Sequence, residues 1–489
     1  MESLLMKLTM FYVAKIHDCG ALLQAEMRPP LYRKMLRPIA FDLGMVTFYL
    51  APERYFAIWA DFFRRIGRMA TKPEFRKPAP EGVVEQTGIG TGTGNGMVVL
   101  DDGSLMMVVG SRFHISTDDG QTWGESRPLN CEAMGSSSNL SCIKLQSGKL
   151  ALAHRGKEEE GWGTEMFNWN PFYLSVSEDD GQTWTGAWPM KLLGGPYHDV
   201  MIQLSSGRLL MPSRICHSNR RHPGLEYERV SSYGIWKGLR LQVSGHYHYP
   251  EVDIAAVSYS DDEGQTWQQC QGQLMGWFDA EGIPNGRGGI TAVDEPSVAE
   301  CADGRVMLLA RSTVGRLVQS ISEDGGETWT PILPSDLASS YSPPRLRQIP
   351  STGDLLCVWN QVSRDEIKRG YRRGRLSVAI SRDSGASWER FKTIEVSEGM
   401  EDVERVVPQE PITPVIGLPE VGTLPEGFAT FDYPNVWFAG DEVYLTYHRS
   451  WVEVDEDAGE AVTLGERKGK TRKPREMVLR IYPLAEFYR

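Results

Sequence analysis

The chain has 489 residues, 41% of them hydrophobic and 24% charged, so it can bury a sizeable core and is not disordered as a whole. Asp and Glu outnumber Lys and Arg by 64 to 52, and no basic tract is long enough to follow a phosphate backbone, which argues against nucleic acid as a partner. Seven cysteines without a CxxC pair imply neither a disulfide scaffold nor a zinc ribbon, and no apolar stretch reaches the ~18–20 residues of a membrane helix.

Residues 1–80 read as a short helical or irregular N-terminal extension ending in the Pro-containing stretch 72–82, and no role follows from their composition. Glu2 ahead of a short apolar run, with no clean small-residue cleavage site, speaks against a secretory leader, so a cytoplasmic location is the default. From residue 81 onward the chain is periodic. The pattern Ser-x-Asp-x-Gly-x-(Thr/Ser)-Trp opens at Ser116, Ser177, Ser260, Ser322 and Ser381, at intervals of 61, 83, 62 and 59 residues. Such a box is a hairpin turn: the short Asp accepts backbone amides, Gly supplies a positive φ, and Trp packs between neighbouring sheets.

Between the boxes lie six hairpins of alternating apolar residues around a Gly or Asp turn: Gly96–Val109, Leu140–His154, Val200–Arg214, Pro296–Arg311, Arg345–Trp359 and Pro434–His448. One four-stranded sheet per period gives an all-β, six-bladed β-propeller over residues 81–489. The 83-residue interval marks an insertion in the third blade, Cys216–Pro250, rich in His, Arg, Tyr and Trp. Its aromatics suit a sugar pocket. Its histidines, His217, His222, His246 and His248, follow no zinc spacing, so neither metal nor cofactor is expected.

With boxes and hairpins laid out, the chain resembles the sialidase (neuraminidase) superfamily over roughly residues 88–489. Three further matches sharpen the resemblance. Glu295 opens the fourth-blade hairpin and Arg311 closes it sixteen residues later; Arg373 stands eight residues before Ser381; Tyr433 opens the sixth-blade hairpin. The resemblance implies Tyr433 as nucleophile, Glu295 as its general base, and Arg311 and Arg373 as a substrate clamp, with the boxes on the side away from the active site. The chemistry is self-consistent. A guanidinium grips a sugar carboxylate bidentately, and a phenol avoids the repulsion that a carboxylate nucleophile would meet at an anionic centre.

The chain departs from that family in two places. Residues 87–100 contain no arginine where the family's first arginine stands, and residues 108–116 run almost directly into the first box, with no acid/base aspartate. The leaving-group acid must come from elsewhere. His154, Arg155 and Glu158 to Glu160 lie in the second-blade loop, and His198 and Asp199 open the third blade. Asp199 ranks first as the acid, because a partly buried carboxyl keeps its proton better than three adjacent solvated glutamates. His198 and Arg155 are expected to bind substrate.

The expected activity is exo-hydrolysis of a terminal acidic sugar, with retention, on a carbohydrate or glycoconjugate. A polysaccharide lyase acting on uronates, or a carbohydrate-binding propeller without catalysis, stands beside it as an alternative.

Overall fold

The computed structural model describes residues 77–489 apart from internal stretches, chiefly 157–171, 218–230, 245–251, 278–289, 416–423 and 462–474. The regular elements among the described residues are nearly all strands, and six four-stranded antiparallel sheets form the blades of a β-propeller. The inner strands are Gly96–Val99, Ser141–Lys144, Ile202–Gln203, Asp294–Glu300, Arg345–Gln348 and Ala429–Ala439, blades 1 to 6 in chain order. Of the N-terminal extension expected over residues 1–80, residues 1–76 lie outside the described part, as do the second-blade glutamates Glu158 to Glu160 and the side chains of the third-blade insertion.

The sixth blade is not built from the C-terminal segment alone. Its outer strand is Val84–Thr87, paired antiparallel with Arg475–Pro483, so the two ends of the propeller sequence share one sheet and close the ring. An apolar seam fills the space between blades 5 and 6, with Val358, Val378 and Ile380 packed against Phe431, Leu445 and Val478.

The boxes are turns built from their own side chains. In the second, Ser177 Oγ donates to Asp179 Oδ1 (2.7 Å) and accepts from the Gly181 amide (2.8 Å), while Thr183 gives its amide (2.8 Å) and hydroxyl (2.6 Å) to Asp179. These bonds, that from the Thr183 hydroxyl first, draw the Asp179 carboxyl down to about 2. The polar residues of the box are thus consumed in holding it, as the sequence suggests.

The box glycine is where one blade meets the preceding one. At Gly264, φ is +89° and an added Cβ would overlap Leu174 of blade 2. Gly264→Ala is therefore expected to destabilise the protein through overpacking, worth about 1–3 kcal/mol, plus about 1–2 kcal/mol for a left-handed alanine. Chemical denaturation followed by tryptophan fluorescence checks it, and an unchanged midpoint would refute the packing argument.

Candidate active site

The inner strands of blades 4 and 6 carry the same short motif, Asp294-Glu295-Pro296 at the start of one and Asp432-Tyr433-Pro434 within the other. Proline has no amide to give the ladder, and in both strands the register slips across it, between Asp294 and Ser297 and between Asp432 and Asn435. The middle residue of each motif takes up the slip with a left-handed backbone, φ 44° at Glu295 and 56° at Tyr433. Non-glycine residues rarely adopt this conformation, and it concentrates at functional sites. Asp199, ahead of the blade 3 inner strand, has φ 49°.

The aspartates of the two motifs hold the arginines. Asp294 is fully buried; its Oδ2 accepts Arg311 Nε (2.6 Å) and the Tyr341 hydroxyl (2.7 Å), and its Oδ1 accepts Arg214 Nη1 (2.7 Å). Burial pushes the Asp294 carboxyl up, but Arg311, Arg214 and Tyr341 together outweigh it and hold it well below the usual carboxylate range. Arg311 lies over the Tyr341 ring at 4.0 Å and turns Nη1 to Glu295 Oε2 at 2.7 Å, an ion pair without a well-directed hydrogen bond. On the other side, Arg373 Nη1 donates to Asp432 (3.2 Å) while its guanidinium stands 5.1 Å from the centre of the Tyr433 ring. Arg373 also feels the charges of Arg311 and Glu295, so the two halves form one electrostatic cluster.

Glu295 behaves differently from its neighbour. Burial is the largest influence and raises its pKa; Arg311 opposes this, and the adjacent Asp294 charge adds to it. One carboxylate is thus pinned as an anion while the next is poised to exchange a proton, the separation expected of an anchor beside a general base. Three guanidiniums (Arg214, Arg311, Arg373) face three carboxylates (Asp294, Glu295, Asp432). The cluster carries its own counter-ions.

His198 meets Tyr433 edge to face, ring centres 6.3 Å apart, and its Nδ1 lies 3.3 Å from Asn95 Nδ2. Arg345, fully buried at the start of the blade 5 inner strand, donates to the backbone carbonyls of His198, Asp199 (2.6 Å) and Pro434 (3.4 Å), tying blades 3 and 6 together beneath the site.

The structure thus gathers Glu295, Arg311, Arg373, Tyr433 and His198. Asp199 is placed otherwise. It is fully buried, its carboxylate meets Arg347 Nη2 (3.0 Å) and Ser141 Oγ (3.3 Å), and it lines a cavity of about 470 Å³ shared with Val98, Cys142, Ile202 and Trp437 on the inner strands, the axial channel of the propeller. Burial raises its pKa, partly offset by Arg347 and Arg345. Arg155 stands on blade 2 over the Phe172 ring at 5.9 Å. His154 is a core residue and not a sugar contact: it is fully buried, with Nε2 2.9 Å from Ser175 Oγ, on a strand whose two faces are both covered from Leu150 to His154. Asp294, Asp432, Arg214, Tyr341 and Arg345 were not anticipated, although the repeated Asp-x-Pro motif was a visible signal for the first two.

Fold and boxes together define a six-bladed propeller of Asp-box repeats. The BNR repeat-like domain matches residues 156–445, more than half of the chain, and the protein belongs to that family. Among solved structures, Trypanosoma rangeli sialidase aligns at 14% identity and a TM-score of 0.45, over 84% of this chain and 61% of its own. An α-L-arabinofuranosidase of Fusarium graminearum aligns at 10% identity and 0.44, over 85% and 98%. A protein of unknown function from Dyadobacter fermentans aligns at 14% identity and 0.45, over 82% and 99%. The chain thus spans less than two thirds of the sialidase. No curated protein matches it in sequence.

Proposed function

We propose that the protein, through its propeller over residues 81–489, is an exo-acting, retaining glycoside hydrolase of the sialidase type that removes a terminal acidic sugar through a glycosyl-tyrosine intermediate. The observation that carries this reading is the meeting, from blades 4, 5 and 6, of a buried carboxyl of raised pKa, two guanidiniums and a tyrosine in one electrostatic cluster. Tyr433 attacks the anomeric carbon as the glycosidic C–O bond breaks, Glu295 takes the phenolic proton and the departing oxygen takes a proton from water. A second attack by that water's hydroxide then cleaves the glycosyl–tyrosine bond while Glu295 returns its proton to the Tyr433 oxygen, and Arg311 and Arg373 orient the sugar carboxylate throughout. His198 reaches the sugar from blade 3. Asp199, buried and of raised pKa, is held by Arg347 and Ser141, and Arg155 lies over the Phe172 ring.

A second reading draws on the internal charge balance. Because every guanidinium of the cluster already faces a carboxylate of the chain, an uncharged sugar fits it as a hydrolase substrate. Fluorogenic glycosides separate the two. Release from a sialoside or uronide, with a fluorosugar adduct mapped to Tyr433 by mass spectrometry, is the expected result. Release only from neutral glycosides would move the assignment to the second reading, and new absorbance near 235 nm with a uronate polymer would mean elimination instead.

A further inference from the structure

The blade 1 corner of the site has no arginine, and the structure shows what stands there. Asn95, immediately before the blade 1 inner strand, is almost fully buried, and its Oδ1 accepts the Gly110 amide at 2.8 Å. That bond settles which end of the amide is which, so the group facing His198 Nδ1 at 3.3 Å is the carboxamide Nδ2. A carboxamide nitrogen, its lone pair delocalised into the carbonyl, donates and does not accept. Nδ1 of His198 is therefore the acceptor, and the ring proton resides on Nε2.

We propose that His198 enters the site as a neutral imidazole with its proton on Nε2, fixed in that form by Asn95, so that this corner reads an uncharged oxygen of the sugar instead of a charge. This deepens the hydrolase reading and rests on it. Three features hold the ring in place: the Asn95 contact, the edge-to-face packing on Tyr433, and the buried Arg345, which takes the His198 carbonyl. The neighbouring charges have partners of their own: Arg345 donates to backbone carbonyls, Arg373 meets Asp432, and the carboxylate of Asp199 is engaged by Arg347 and Ser141. Asn95 is accordingly a positioning residue, acting through His198.

The consequence is one of specificity. A guanidinium at this corner would add a third grip on a carboxylate, whereas a neutral N–H donor selects a hydroxyl, ring or carbonyl oxygen. Of the described residues, Arg311 and Arg373 are then the ones assigned to the sugar carboxylate.

The test needs no substrate. In the full chain labelled with ¹⁵N-histidine, long-range proton–nitrogen correlation spectra report which ring nitrogen is protonated, and His198→Gln identifies the His198 signal by its disappearance. The expected result near neutral pH is an unprotonated Nδ1 and a protonated Nε2. Asn95→Asp, which replaces the donor by a carboxylate acceptor, is expected to move the proton to Nδ1 and to shift the His198 titration upward. A wild-type signal with the proton on Nδ1, an imidazolium near neutral pH, or an Asn95→Asp spectrum identical to wild type would overturn the assignment. Failure to hydrolyse any acidic glycoside would instead sink the hydrolase reading and leave these spectra unchanged.

Discussion

Tyr433→Phe is expected to abolish turnover of a fluorogenic acidic glycoside while leaving ligand binding in place, because it removes the attacking oxygen and nothing else from a ring packed against Arg373 and His198. Glu295→Gln should lower kcat by roughly 10²–10⁴-fold, the usual contribution of a positioned general base. The pH profile separates the two roles. Glu295 must be ionised to accept the phenolic proton, and burial lifts its pKa above the ordinary 4.5, so activity should rise with pH through a limb displaced upward from that value. In Glu295→Gln the limb should vanish. Retained turnover in either variant would remove that residue from the mechanism. Folding must be checked in parallel, because losing the Glu295 charge leaves Arg311 with Asp294 as its buried carboxylate partner.

Why some of this was readable from sequence and some was not has a physical basis. The box and the hairpin are local objects whose hydrogen bonds and alternation close within a few residues, so five boxes and six hairpins spell out the blades. Spacing within a hairpin also links Glu295 to Arg311, since Asp294 pairs with Arg311 in register across a single turn. Ring closure is a different matter. Val84–Thr87 is four residues of half-buried alternation whose partner strand lies almost the length of the chain away. Nothing local marks it.

The counter-ions were hidden for a similar reason. Asp432 finds Arg373 across 59 residues and Asp294 finds Arg214 across 80, and such pairs appear only once the blades are side by side. His154 shows a different limit. It stands near the end of its strand, but every residue from Leu150 to His154 is buried, because both faces of a blade pack against their surroundings, so a place near a strand end does not by itself aim a side chain at a ligand.

Glu395→Ala is expected to produce the largest loss of stability, because this carboxylate sits at the seam that closes the ring. It is fully buried on the outer strand of blade 5 and accepts from Tyr447 (2.6 Å), Arg480 (3.1 Å) and Arg449 (3.3 Å) of blade 6. The same two arginines reach Glu85 on the closing strand, at 2.8 Å from Arg480 and 3.1 Å from Arg449. Removing one partner from a buried ionic network leaves charge uncompensated and costs about 3–5 kcal/mol.

Glu395→Gln should cost distinctly less than Glu395→Ala. Burial is the dominant influence on Glu395 and raises its pKa in spite of both arginines, so the folded protein tolerates a neutral group here better than water does. The amide keeps an acceptor for Tyr447 and fills the same space. Glu85 still answers Arg480, and Glu476 still takes Arg449 Nε at 2.8 Å. Urea denaturation of the two variants checks the order. Equal losses would mean that the carboxylate's charge, not its hydrogen bonds and volume, holds the seam closed; a negligible loss in Glu395→Ala would mean that the apolar packing between blades 5 and 6 suffices without it.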